Sequence, residues 1–175
     1  MKTIKYVIFF SFLFSCTIIL GQEQIRKQDL SSYTELKALH TEELLIIDAN
    51  EDALISSEDV FVQDVLELKA QEGGEVNLNC QTEQLLVKSV TGGNINVTGF
   101  SKNQDVKINT GGSYNGKTFK TEFTTITVSA GGEAEIYATE YVKANVKAGG
   151  NIKVYGDPKK MDEKKVFGGI IERIN

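Results

Sequence analysis

The sequence predicts an all-β fold, a single-stranded β-helix or β-solenoid whose turns of about 19 residues are opened by Gly-Gly corners. Two observations carry this: evenly spaced glycine pairs, and apolar columns that keep a constant offset from each pair. The pairs begin at Gly73, Gly92, Gly111, Gly131, Gly149 and Gly168, at intervals of 19, 19, 20, 18 and 19 residues. Chance would scatter such pairs, whereas a fixed period of this size marks a stack of about six turns. Three places after each first glycine stand Val76, Ile95, Tyr114, Ala134, Ile152 and Ile171, and five places after the first five stand Leu78, Val97, Gly116, Ile136 and Val154. Five and three places before them stand Leu68/Ala70, Val87/Ser89, Val106/Ile108, Ile126/Val128 and Ala144/Val146. Each turn is therefore a strand, a corner and a strand with period-two alternation. Coiled once per repeat, equal positions stack at about 4.8 Å and the inward columns make one core.

The elements follow in order. Lys2 and Lys5 precede an apolar run from Tyr6 to Leu20 and then Gly21, which reads as a secretory signal over residues 1–21. The run falls short of the roughly 20 residues that span a bilayer as a helix, so no membrane span is expected after cleavage. The alternative is lipidation at Cys16 within Leu13-Phe14-Ser15-Cys16, against which Phe14 is bulky and the apolar run continues past the cysteine. Residues 22–60 read as N-terminal strands and an acidic turn that cap the coil, and residues 61–175 as the solenoid repeats with a C-terminal cap. Leu36 to Leu45 is ambiguous between helix and strand by spacing alone. At the corners, paired glycines open backbone conformations closed to residues with a Cβ. Small residues recur seven places on, at Cys80, Gly99, Ala138 and Gly156, as a second tight position. Outward, Asn77, Asn96 and Asn115 share a column that can hydrogen-bond along the axis, and Tyr137 and Tyr155 share another. Glu163 and Lys165 fall on inward columns of the last turn, after Asp157-Pro158, as a polar cap should.

Removal of the signal leaves 17 basic against 24 acidic residues, which speaks against nucleic acid as a partner. Only Cys80 then remains, so no internal disulfide is available, and a buried, inert thiol is the expected state.

In the corner segments TGGNINVTG, SAGGEAEIYA and KAGGNIKVYGDP, and in the closing stretch GDPKKMDEKKVFGGIIERI, the chain resembles the head GIN domain family, described as putative auto-transporter adhesins of signal-bearing Gram-negative envelope proteins. The resemblance covers roughly residues 33 to 175. It implies a β-helical fold at the cell envelope without established chemistry, and strands for Leu36 to Leu45. The chain departs from the family in being short and in carrying Asn, Ser or Glu after the glycines, where Ser-Asp is frequent. It also shows no translocator barrel, which needs at least about eight lipid-facing strands.

Candidate chemistry is sparse. Asp48 to Asp59 resembles a calcium loop, with oxygens from Asp48, Asn50, Asp52 and Asp59, but Ala53 stands where the turn glycine belongs and Asp59 where the bidentate glutamate belongs. His40 is the only histidine and has no evident catalytic partner. Arg173 is the only arginine in the repeats, no aspartate column is present, and Thr125-Ile126-Thr127 is a single Thr-x-Thr. Asn96-Val97-Thr98 fits a glycosylation sequon by coincidence of a strand. A nine-residue calcium-solenoid unit does not match the period. The sequence thus points to no catalytic, cofactor or metal residues. It points to a non-enzymatic, exported module of the periplasm, outer-membrane surface or exterior, binding an envelope glycan or protein, or another copy of itself, through a rigid face. The alternative is a polysaccharide-acting β-helix enzyme.

Overall fold

The computed structural model describes residues 17–19, 25–27 and 44–174, with Glu58 by its backbone only. Cys16, His40 and most of Leu36 to Leu45 lie outside the described residues. Two short strands, β1 (Thr17–Ile19) and β2 (Ile25–Lys27), form an antiparallel pair of their own. The remainder is a parallel coil: β3 (Leu45–Ala49), β4 (Leu54–Ala70), β5 (Glu75–Val90), β6 (Asn94–Asn109), β7 (Ser113–Asn115), β8 (Phe119–Val128), β9 (Glu133–Tyr137), β10 (Tyr141–Ala148), β11 (Asn151–Tyr155), β12 (Lys160–Phe167) and β13 (Ile170–Arg173). No helix occurs among the described residues.

The coil is a solenoid of about seven turns. Register along it is constant: Val76 pairs with Ile95, Ile95 with Tyr114 and Tyr114 with Ala134, while on the other run Leu68 pairs with Val87, Val87 with Val106 and Val106 with Ile126. These inward columns are buried and form one continuous core. Each fully buried aliphatic side chain contributes about 1.5–3 kcal/mol, and the period-two alternation puts several in every turn. The two runs of a turn meet at a bend, where Glu83 and Gln84 both face outward, and at a tight corner.

The corner explains the glycine pairs, and the two glycines serve different ends. In the corner Val90 to Gly93 the Gly93 amide donates to the Val90 carbonyl at 3.0 Å, and the two central residues, Thr91 and Gly92, have φ of 50° and 74°. Positive φ at both central positions defines a type I′ turn. The positive φ therefore falls on the residue before the pair and on its first glycine. The second glycine is needed for space, because a Cβ on Gly93 would stand 2.2 Å from the Ala70 carbonyl oxygen of the preceding turn. The expectation that both glycines supply a forbidden backbone conformation is thus corrected for this corner. Only in the last two corners, at Gly149–Gly150 and Gly168–Gly169, do both glycines have positive φ.

A corner without glycine precedes the first pair. Glu51 and Asp52 occupy the central positions with φ of 52° and 60°, and the Ala53 amide closes the turn on the Asn50 carbonyl at 3.2 Å. Stacking accordingly begins at Leu45, which pairs with Leu66.

The core also carries polar groups, and they are matched to one another. Gln104 and Thr124 stand in the column of Leu85, and Tyr114 turns inward. Gln104 Nε2 donates to the Tyr114 hydroxyl, Thr124 Oγ1 donates to Gln104 Oε1 at 3.3 Å, and Thr121 Oγ1 lies 2.7 Å from Thr124 Oγ1. Gly116 makes room for this arrangement, since a Cβ there would stand 2.5 Å from the Tyr114 hydroxyl. At the far end the inward columns reach Glu163 and Lys165, both exposed. Strand β12 pairs with β10 and β13 with β11, and among the described residues no strand lies beyond them.

Candidate functional site

Parallel in-register stacking turns any residue repeated at the coil period into an axial row. On the run that enters each corner, Asp48 pairs with Lys69, Lys69 with Lys88, Lys88 with Lys107 and Lys107 with Thr127. Three lysines therefore stand on consecutive turns at the strand spacing of about 4.8 Å. Continuing the same row, Asn145 follows Thr127 and Lys164 follows Asn145.

The rows on either side are different in kind. Toward the bend stand Glu67 and Asp105, and their carboxylates hold the lysines in place: Glu67 lies 2.6 Å from Lys88 Nζ and 3.8 Å from Lys69 Nζ, and Asp105 lies 3.6 Å from Lys107 Nζ. Toward the corner stand Gln71, Val90, Asn109, Ser129 and Lys147, mostly amides and hydroxyls. The lysine row and this corner-side row line a groove of about 460 Å³ that runs along the axis from Asp48 to Lys147. The lysine side chains are 23%, 49% and 62% exposed from Lys69 to Lys107, so the row opens to solvent along its length. The Lys107–Asp105 pair is exposed and stabilises by less than about 1 kcal/mol, whereas Glu67 is buried and depends on Lys88 and Lys69 for its partners; in both cases the carboxylate orients the ammonium groups.

The run that leaves each corner has the opposite charge. Glu75, Glu133, Glu135 and Glu172 face outward there with Lys153, which pairs with Glu135 at 3.1 Å. The asparagine row is realised between Asn96 Nδ2 and Asn77 Oδ1 at 2.7 Å, Asn77 donates to Glu75 at 2.8 Å, and Ser113 donates to Asn94 in the neighbouring row. Tyr137 and Tyr155 are paired as the spacing predicts, with the Tyr155 hydroxyl donating to Glu135 at 3.3 Å.

The other singled-out residues are dispersed. Asp48 accepts from Gln71 Nε2 at 3.2 Å in the groove wall, Asp52 sits in the first corner, and Asp59 lies beyond it with its amide bonded to Ser57 Oγ. The Asn50 side-chain oxygen is buried without a hydrogen-bond partner. Among the described residues no three carboxylate, histidine or cysteine side chains are grouped as a metal ion requires. Cys80 is buried, and desolvation pushes its thiol up to about 12. Tyr114 is likewise held well above its usual range, by burial first and by proximity to Cys80 second, with the Gln104 hydrogen bond acting the other way. Arg173 is engaged by Asp157 and by the Pro158 carbonyl.

Sequence reasoning over the apolar columns passed over the lysine row. Its signal was present, because Lys69, Lys88 and Lys107 each stand four places before a Gly-Gly pair, as Lys164 does in the last turn.

No helix of the described residues is long and apolar enough to cross a membrane. No curated protein matches the chain. Solved structures do match its fold. A putative adhesin of Bacteroides fragilis superposes with a TM-score of 0.66 at 21% identity, covering 69% of this chain and 56% of the relative. Putative adhesins of Parabacteroides distasonis and Parabacteroides merdae superpose at 0.69 and 0.66, with 22% and 20% identity, over 74% and 73% of this chain and 55% and 54% of theirs. The chain thus spans little more than half the length of these relatives, and the likeness is one of fold. A family model described as "Putative auto-transporter adhesin, head GIN domain" matches residues 22–158, and the chain belongs to the head GIN domain family.

Proposed function

We propose that this chain is a non-enzymatic binding module of the cell envelope, an adhesin-like coil that holds its ligand along the groove between Asp48 and Lys147. The observation that supports this reading is the groove itself: cations set in line by flanking carboxylates, edged by amides and hydroxyls, on a rigid parallel scaffold. Such a surface offers hydrogen bonds and charge at fixed spacing with little ordering cost on binding. It offers no nucleophile beside a base and no grouped carboxylates, which glycan cleavage would use.

The test uses envelope polysaccharide fractions and two forms of the protein, the natural chain and Ser129→Trp, which places an indole in the groove wall. Retention of a glycan fraction by the natural chain and its loss in the variant is the expected result. Release of new reducing or unsaturated ends during the incubation would replace this reading with an enzymatic one.

A further inference from the structure

The row of lysines restricts the chemistry of the ligand. We propose that the groove takes a linear anionic polysaccharide of the uronic-acid type, lying along the coil axis with its carboxylates on Lys69, Lys88 and Lys107. This rests on the groove reading given above and adds the ligand class to it.

The first argument is commensurability. Stacked turns repeat at about 4.8 Å, and an extended chain of linked pyranoses advances by close to that distance per sugar, so sugars and turns keep step along the groove while the long lysine side chains reach carboxylates on either side of the chain.

The second is the chemistry of the ammonium groups. Each carries three donors and no acceptor. The Lys88 contact with Glu67 at 2.6 Å occupies part of that capacity, and the looser ion pair of Lys107 with Asp105 at 3.6 Å draws its group toward the row, which lowers the ordering cost when a ligand carboxylate arrives. The ammonium recognises a carboxylate as a point charge, without the bidentate geometry that arginine imposes. Beside it, Asn109, Ser129 and Gln71 supply donors and acceptors for sugar hydroxyls.

The third is the setting of the charge. The whole chain has a formal charge of −5, and the opposite run presents glutamates. The lysine row is a local reversal of sign, so an anionic polymer is attracted to one side of the coil and repelled by the other. Nucleic acid is disfavoured because stacking platforms are missing: no aromatic side chain lines the groove.

Individually weak contacts repeated along a rigid row give an affinity that grows with ligand length until the row is filled. The groove crosses six turns, from Asp48 to Lys147, which sets the length at which growth stops.

The full chain is titrated with polygalacturonate, with galacturonate oligomers of increasing length, with dextran as a neutral polymer and with a single-stranded oligonucleotide. Variants are Lys69→Gln/Lys88→Gln/Lys107→Gln, the corresponding three arginine substitutions, and Lys102→Gln/Lys117→Gln/Lys120→Gln, which removes the same charge outside the groove. The expected result is binding of polygalacturonate that weakens with added salt, falls about tenfold or more in the groove variant, changes less than about twofold in the outside variant, and is largely kept by the arginine form. Oligomer affinity is expected to level off near six sugars.

Equal losses in the two glutamine variants, or failure to bind any acidic polysaccharide, would overturn the proposal. Binding of dextran that is abolished by Ser129→Trp would overturn the anionic ligand and leave the groove reading standing. Equal binding of the oligonucleotide would overturn the assignment to a polysaccharide. Salt-sensitive self-association lost in the groove variant, with no polysaccharide bound, would overturn it in favour of the acidic side of a second copy.

Discussion

Substituting the two glycines of one corner separates backbone strain from crowding between turns. At Gly92, φ is +74° and an added Cβ would meet nothing within 4 Å. Alanine there costs about 1–2 kcal/mol for the left-handed conformation, offset by about 0.4–1 kcal/mol from the stiffer unfolded chain. Asparagine adopts that conformation readily and should be nearly neutral. At Gly93 the added Cβ would lie 2.2 Å from the Ala70 oxygen, 2.5 Å from its carbonyl carbon and 3.0 Å from its Cβ. All belong to the turn below, and relief requires the turns to part by over about 1 Å at a spacing of about 4.8 Å. Close by, Gly93 O accepts from the Ser113 amide at 2.9 Å and from Ser89 Oγ at 2.6 Å, and Gly74 O accepts from the Asn94 amide at 2.9 Å. Weakening two of these and leaving their buried groups unpaired costs about 3–5 kcal/mol. Thermal unfolding by circular dichroism should show a fall in Tm of a few degrees for Gly92→Ala, almost none for Gly92→Asn, and on the order of 10 °C for Gly93→Ala. Equal falls for the two alanine variants would refute the division of labour between the glycines.

Three further outcomes are expected. Thr110 holds a β-branched side chain at φ 50° in an exposed corner, so Thr110→Asn should stabilise the coil by about 1 kcal/mol in denaturant unfolding; a loss of stability would count against the type I′ assignment. Tyr114→Phe leaves the buried Gln104 amide without its acceptor and should cost about 1–3 kcal/mol, while adding Gln104→Leu should restore most of the loss; a double variant worse than either single one would refute the pairing. The Cys80 thiol keeps its proton to about 12, whereas in the unfolded chain it ionises around its ordinary value of 9.0. The unfolded state thus binds fewer protons above 9.0, so this contribution is fully present below 9.0 and is lost as pH rises toward 12, with the raised Tyr114 acting in the same direction. A native thiol that reacts with a disulfide reagent at pH 8 as fast as the urea-unfolded chain would contradict its burial.

Six corners were legible in the sequence because glycine marks them and because apolar alternation on both sides fixes which residues face inward. The first corner was legible only as an acidic turn capping the coil, since Glu51 and Asp52 take the left-handed positions with no glycine to mark them as part of the repeat. The second glycine of each early pair was legible as a glycine but not in its cause, which lies in a contact with the preceding turn. Gln104, Thr124 and Gly116 look like faults in the columns until Tyr114 is seen to reach across and use them. The lysine row was written in the spacing all along, but outward rows are free of the demand for apolar residues, so a periodicity read from hydrophobicity passes over it.

The exposed last turn gives the coil a direction in which to yield. Among the described residues β12 and β13 are each bonded along one edge only, to β10 and β11, and the inter-strand bonds of a parallel stack point along the axis, from one turn to the next. Tension applied to the carboxyl end of the coil therefore loads those bonds one after another, as in opening a zipper, and not together as in shear. Each yielded turn frees about 19 residues, or about 65 Å of slack at 3.3–3.6 Å per residue, while the turns behind it keep their register and their core. Under such a load the coil is expected to give way in increments of about one turn, shedding load through length while its remaining surface stays in shape.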